Sequence, residues 1–466
     1  MASAFLHRTM DRTADSGYAK KWVCSTWLKI SRLGILENKG LFSIQKGSTS
    51  NSRLNVGFNS TDNLWVETKD STGNTDAFKQ TQMKFRDTSA WYHIYIKYDS
   101  TQGTAADRLV IFVNGVEQTY DNVDNVGSNF GILMDSSVDF RVGIYRTNGG
   151  AIRYMEGQYA HFYFINYEDG ATPDPYTDFG ETDATTGIWK PILSPSITYG
   201  DQSVFLKFDN SGNMGLDSSG QGNNLSTSGT IIQNKDTPSN NFAKLNFNDI
   251  AGTNSIEIAN TGTTTMQTSN VGDYGIRSTL AATTGKYYWE AKIATSNTLC
   301  ILPTETRLVI NLSDGSPASD LYGVQRYSDT TTNIYDDGTF DQQNTAMWGG
   351  ITSSDIISFA LDLTNGKLFV GKNGAYKNQS GATGDPVGGT NPTFTISDTT
   401  KTYTFYTEMR GNDNNGTLVN FGDGYFGTTA VSSAQNPDDG IGIFEYDPPA
   451  GYKAWTTKGI NSQEYS

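Results

Sequence analysis

The stretch DNSGNMGLDSSGQGNN, residues 209 to 224, sets carboxylate, amide and hydroxyl oxygens close together among glycines. Calcium is a hard ion that takes about six to eight such oxygens, and Asp209, Asn213 and Asp217 are the candidate ligands. The spacing departs from an EF-hand, because Met214 stands where the invariant glycine would be and Gly220 where the final glutamate would be. Tight turns use the same residue types without a metal. Calcium is the one cofactor the sequence raises, with turn chemistry as the competing explanation. A second chemistry is sugar recognition, which uses an aromatic face for the apolar side of the ring and carboxylates or amides for its hydroxyls. NIYDDGTFDQQNTAMWGG (333 to 350) offers Tyr335, Asp336, Asp337 and Trp348, and NFGDGYF (420 to 426) offers Asp423 and Tyr425. Trp348 could equally belong to a core. These six are the candidate glycan-binding residues, on loops of the kind that carry binding.

Glycan hydrolysis would need two carboxylates flanking the scissile bond, commonly on alternate residues of one strand. No such run appears, Glu290 in YYWEAKI stands alone, and Asp99 and Asp362 read as turn-forming residues at strand ends. No catalytic residue is assigned, and the chain reads as non-enzymatic. The three histidines, His7, His93 and His161, are placed singly, which leaves little material for a zinc site or a catalytic triad. His93 sits inside the strand-like WYHIYIKY. Cys24 and Cys300 are far apart and read as buried thiols.

The elements that must position these residues are strands. Charged residues are only 18%, and the 49 glycines with abundant Thr, Ser, Asn and Tyr favour strands and turns over helices. AWYHIYIKYD (90 to 99) alternates with a period of two, and the loop after it reverses the chain into DRLVIFVNG (107 to 115). IISFALDLTNGKLFVGKNG (356 to 374) repeats that grammar some 260 residues later: a strand ending in Asp, a turn, a short apolar strand, then Asn-Gly. Asn114-Gly115 and Asn373-Gly374 supply the positive φ angles that a two-residue hairpin turn demands. Apolar runs such as Leu109 to Val113 suit strands inside packed sheets, and hairpin-length links make those sheets antiparallel. At 466 residues the chain exceeds the roughly 250 to 300 at which single cores stop growing. The fold class is therefore all-β: two tandem antiparallel β-sandwich domains.

Pro173, Pro175, Pro191 and Pro195 lie among acidic and small residues between the halves and read as a linker. The expected organisation is a first sandwich over 1 to 170, a linker over 171 to 200, a second sandwich over 201 to 445, and a tail over 446 to 466 that tucks Tyr452 and Trp455 against the second sandwich. RLVINL (307 to 312) is expected as one of its strands. The net charge of −15 disfavours nucleic acid, whose binding depends on neutralising phosphates. No apolar run reaches the ~20 residues of a spanning helix, so no membrane insertion is expected, and the N-terminal residues lack the pattern of a secretory signal.

FSIQ, WYHIYIKYD and DRLVIFVNG resemble the laminin-G-like branch of concanavalin A-like, jelly-roll sandwiches. GKYYWEAKI, YGVQRY, IISFALDLTNGKLFVGKNG, YTFYTEMRG and VNFGDGYF, in that order over residues 285 to 426, resemble a SPRY domain, in which Glu290 belongs to the framework. YAKKWVCSTWLKISRLG, VFLKFDNSGNMGLDSSGQGNNLSTSGT, DTPSNNFAKLNF and PPAGYKAW are similar to segments of virion proteins of tailed, especially marine, bacteriophages. That resemblance implies a component of the virion surface, assembled in the host cytoplasm. It would be a tail fibre or adhesin binding host cell-surface glycans or, alternatively, a structural capsid decoration, with a glycan-degrading depolymerase as the weakest option. The implied partners are other virion proteins, host glycans and further copies of the chain in a homo-oligomer that follows the particle's symmetry.

Overall fold

The computed structural model describes residues 4–33, 39–46, 53–69, 75–146, 152–168, 170–185, 187–252, 256–259, 263–267, 274–293, 297–306, 319–409 and 416–461. The chain divides into two compact units, Met1–Gln233 and Asn234–Ser466. Each is a pair of packed β-sheets, and the strands are almost all antiparallel. The strand expected at RLVINL lies outside the described residues.

In the first unit an 8-stranded sheet runs in the order Tyr120–Asp124, Thr75–Lys84, Asn63–Lys69, Arg53–Phe58, Lys39–Gln45, Asp139–Val142, Phe5–Thr9, Ser226–Ser228. A 6-stranded sheet runs Val116–Glu117, Leu109–Val113, Tyr92–Asp99, Lys21–Ile30, Gly157–Asn166, Val204–Leu206. Period-two alternation sends one set of side chains from each sheet into the space between them. Phe42 and Phe140 of the first sheet meet Trp22, Phe162 and Phe164 of the second, with ring centroids 5.1 to 6.2 Å apart. Edge and tilted contacts of this kind fill the core with interlocked rings.

The other face of the 6-stranded sheet is covered as well, and here the structure departs from the expected organisation. Residues 171 to 199 are not a free linker: Phe179, Tyr176, Ile197 and Tyr199 pack on Tyr95, Tyr163 and Phe205. Pro175 takes extended backbone, and the aromatics of the segment hold it down. Residues 201 to 233 also belong to the first unit. Val204–Leu206 pairs with Phe162–Phe164 at the edge of one sheet, and Ser226–Ser228 pairs with Phe5–His7 at the edge of the other. The division therefore falls after Gln233, because backbone pairing outweighs the compositional break near residue 200.

In the second unit a 7-stranded sheet runs Leu245–Ala251, Tyr274–Ala282, Tyr403–Met409, Thr298–Pro303, Tyr322–Arg326, Thr332–Asp336, Thr339–Asn344. It packs on a 9-stranded sheet centred on Lys286–Ile293, Ile357–Asp362 and Lys367–Lys372. Trp289 stacks on Phe359 at 5.0 Å and meets Phe405 of the opposite sheet at 5.8 Å. Lys453–Ala454 adds in parallel beside Tyr287–Tyr288, which brings the fully buried Trp455 within 4.8 Å of Trp289. The C-terminal residues thus complete this core.

The repeated phrase is one device built twice. Asn114 and Gly115 take φ of 50° and 77°, and Asn373 and Gly374 take 51° and 81°. In the first copy the Asn114 amide donates to the His93 carbonyl (2.9 Å) while its side-chain oxygen accepts from the His93 amide (2.8 Å). In the second, Asn373 makes the same two bonds to Ile356, at 2.8 and 2.9 Å. Asparagine tolerates the left-handed backbone and, through its side-chain oxygen, pins the start of the neighbouring strand.

Candidate functional site

The outer face of the 8-stranded sheet is the side that alternation turns away from the aromatic core. Arg53 and Asn55 on one strand, Trp65 and Glu67 on the next, and Phe78 and Gln80 on a third all project to it. Register places Asn55 opposite Glu67, Glu67 opposite Phe78, and Trp65 opposite Gln80. Together with Asn59 and Tyr145 they line a cleft of about 260 Å³. Tyr145 arrives on the short hairpin of Ile144–Arg146 and Ile152–Tyr154. That hairpin lies directly on the sheet, since a β-carbon at Gly40 would sit 2.2 Å from the Tyr145 nitrogen; only glycine permits the approach.

The aromatic wall is ordered by its own contacts. Trp65 lies nearly parallel to Phe78 (6.2 Å, 18°) and edge-on to Tyr145 (5.2 Å, 89°). Trp65 and Tyr145 are largely buried while Phe78 is half-buried. The Trp65 indole N–H finds no acceptor among the described residues. The polar wall is tied laterally. Arg53 Nε donates to Glu67 Oε2 at 3.1 Å, Lys69 Nζ stands 3.5 Å from Glu67 Oε1, and Asn59 Nδ2 donates to Gln80 Oε1 at 3.0 Å. An apolar ring face beside fixed amides, a guanidinium and a carboxylate can hold a ring with one apolar side and several hydroxyls.

Among the residues expected to bind sugar, several are closed to ligand. Tyr335 is fully buried, its ring tilted against Phe340 (5.0 Å), and its hydroxyl donates to Gln325 Oε1 at 2.9 Å. Asp423 is buried in an ion pair with Lys244, which also lies 3.7 Å from Asp236. Trp348 packs partly buried against the main core of its unit. Asp336 is half-buried and accepts from Gln379 at 2.7 Å, and its burial pushes its carboxyl above the usual range. Asp337 adopts a left-handed turn (φ 47°) and accepts from the Asp320 amide at 2.8 Å, which holds its carboxyl low. Tyr425 lies half-buried in the short pairing of Tyr425–Phe426 with Thr429–Ala430. Tyr335 and Asp423 are thus taken up by packing and an ion pair, while Asp336, Asp337, Trp348 and Tyr425 keep part of their surface exposed.

The proposed calcium loop is likewise a turn. Asp217 Oδ1 accepts from the amides of Phe205 (2.9 Å) and Ser219 (2.9 Å), and Oδ2 from the Ser219 hydroxyl (2.7 Å) and the Asn223 amide (2.8 Å). Four donors occupy the lone pairs a cation would need. Asp209 and Asn213 are exposed, and no group of three or more His, Cys, Asp or Glu among the described residues could hold a metal.

His93 is the one histidine with an elaborate setting. Trp189 Nε1 donates to His93 Nδ1 at 2.9 Å, so Nδ1 is the acceptor and the proton sits on Nε2, 2.8 Å from Ser25 Oγ. The imidazole thus donates to the serine and is the wrong tautomer to activate it. Burial lowers its pKa to about 3. Glu290 is a framework group: it accepts from the Tyr288 hydroxyl (2.8 Å) and from the amides of Glu445 (2.9 Å) and Tyr446 (2.8 Å).

No family model matches the chain, and no curated protein matches it. Solved structures do. The SPRY domain of human HERC1 is 16% identical, covering 38% of this chain and 94% of that one with a TM-score of 0.28. Domains LG4-5 of the mouse laminin alpha1 chain are 9% identical, covering 90% and 91% with a TM-score of 0.30. The CBM40 module of the Ruminococcus gnavus IT-sialidase, solved with alpha2,3 sialyllactose, is 14% identical, covering 36% and 89% with a TM-score of 0.26. These include the two kinds of domain the sequence resembles. At such identities and TM-scores they decide nothing about ligand or role.

Proposed function

We propose that this chain is a non-enzymatic surface subunit of a tailed-phage virion whose first sandwich binds host cell-surface glycans. One observation carries the glycan reading: the cleft in which Trp65, Phe78 and Tyr145 face Arg53, Glu67 and Gln80 on a sheet held rigid by its pairing. Among the described residues Glu67 is the one carboxylate lining that cleft, and it is bonded to Arg53. Glycoside hydrolysis by the usual route asks for two carboxylates, so this cleft is equipped to bind rather than to cleave. Placement on a virion, in company with other virion proteins and further copies of the chain, is supported by the sequence resemblance.

The test is binding of the purified chain to an array of immobilised bacterial surface polysaccharides, beside Phe78→Ala. Loss of the half-buried ring should weaken binding about ten-fold, the scale of one aromatic contact of 1 to 1.5 kcal/mol, with an unchanged melting midpoint. Binding that is absent, or equal in the two proteins, would overturn the reading and favour a purely structural capsid decoration.

A further inference from the structure

Inside the second unit three ionisable side chains meet away from water. Lys244, Asp236 and Asp423 are all buried. Lys244 Nζ is in direct contact with Asp423 Oδ2 and stands 3.7 Å from Asp236 Oδ2. Charges taken out of water are costly to keep. One proton passed from Lys244 to Asp423 neutralises both and leaves an amine beside a carboxylic acid, with a second carboxylate at hand.

The backbone fixes each of the three. The Lys244 amide donates to Thr279 Oγ1 at 3.0 Å, and its carbonyl accepts from the Thr279 amide at 2.7 Å. Asp423 stands between two glycines of positive φ, Gly422 (123°) and Gly424 (82°), whose amides both donate to Asn420 Oδ1, at 2.9 and 3.1 Å. Only glycine fits at 422, since a β-carbon there would lie 2.6 Å from the Phe242 ring. Asp236 Oδ1 accepts from the Phe242 amide at 3.4 Å. Phe242 thus packs beside one carboxylate and binds the other, and it belongs to a buried apolar cluster with Tyr288, Phe444 and Ala454.

We infer that Lys244 and Asp423 condense to an intramolecular isopeptide bond, with Asp236 as the proton carrier. The Lys244 amine attacks Cγ of the protonated Asp423. Asp236 takes a proton from the nitrogen of the tetrahedral intermediate and returns it to the departing hydroxyl. The Cγ–O bond breaks and the Nζ–Cγ amide remains. One ammonium and one carboxylate become one amide and one water, so net charge is unchanged and no oxidant or reductant takes part. Contact in a fixed geometry supplies the effective concentration that makes the step intramolecular. The joined residues are 179 positions apart, and closing so long a loop constrains the unfolded chain. The bond is independent of the glycan reading.

The test digests the purified full chain with trypsin and reads the peptides by tandem mass spectrometry. An acylated Lys244 is no longer cut, so the bond joins peptide 236–277 to peptide 411–453 in one branched species, lighter than their sum by one water. That species in the wild type, its disappearance in Lys244→Arg, and its loss from most molecules of an Asp236→Asn chain that keeps its far-UV spectrum support the inference. The wild-type result needs no variant to fold. A wild type of unaltered mass that is cut after Lys244 overturns the inference and leaves an ion pair. A linear 411–453 peptide lighter by one water also overturns it, because Asp423 and Gly424 can close on themselves to a succinimide. Complete branching in folded Asp236→Asn overturns the role given to Asp236.

Discussion

Burial between Trp27, with ring centroids 5.1 Å away, and Trp189, 5.9 Å away, keeps the His93 imidazole neutral and pushes its pKa from 6.5 to about 3. The unfolded chain therefore binds a proton at this residue below about pH 6.5, and the folded chain does not until about pH 3. Stability contributed by neutral His93 is fully present above pH 6.5 and is lost as pH falls through that window. Melting midpoints recorded from pH 7 to 3 should fall for the wild type, and His93→Gln should show a shallower fall from a lower starting point. Parallel pH profiles would place the acid sensitivity elsewhere. The role of His93 was half legible in sequence: its place on a strand was clear, but its partner Trp189 lies 96 positions away and only folding brings it there.

At the scale of elements, the loop from Asp209 to Asn224 shows how one composition serves two chemistries. Turn residues and calcium ligands are the same types, and what separates them is where the carboxylate oxygens point. Asp217 turns both inward to Phe205, Ser219 and Asn223. Asp217→Ala should lose about 1–3 kcal/mol as those amides are left unmet, lowering the melting midpoint by roughly 2–4 °C for each kcal/mol in a unit of this size. Calcium or a chelator should leave the wild-type midpoint unmoved, and a rise with calcium would return the loop to candidacy as a metal site. The cleft strands make the complementary case. The alternation in SRLNVGFN and NLWVET identified strands, but it could not say that Arg53, Asn55, Trp65 and Glu67 share one face of one sheet, since that depends on register.

For the whole molecule, the division after Gln233 has a direct consequence. A fragment of residues 1–233 keeps both edge strands, Val204–Leu206 and Ser226–Ser228, and should unfold in one cooperative transition. A fragment of 1–200 strips them and leaves the outer edge of Phe162 to Phe164 unpaired, so it should melt lower and bind the dye ANS. Equal melting of the two fragments would restore the boundary near residue 200. The proline-rich composition suggested that earlier boundary because proline reports local backbone restriction, whereas domain membership is decided by pairing and burial between distant residues.

Residue types alone determined the all-β class, the two-sandwich plan and the paired Asn-Gly hairpins, because strand periodicity and left-handed turn geometry are local properties. Tertiary structure decided where a cleft forms. Tyr335 and Asp423 have the chemistry of sugar contacts yet are consumed by core packing and an ion pair, while Trp65, Phe78 and Arg53 look like ordinary strand residues until three strands align them. A cleft of this kind is a property of register and curvature, which arise only when segments far apart in the chain meet.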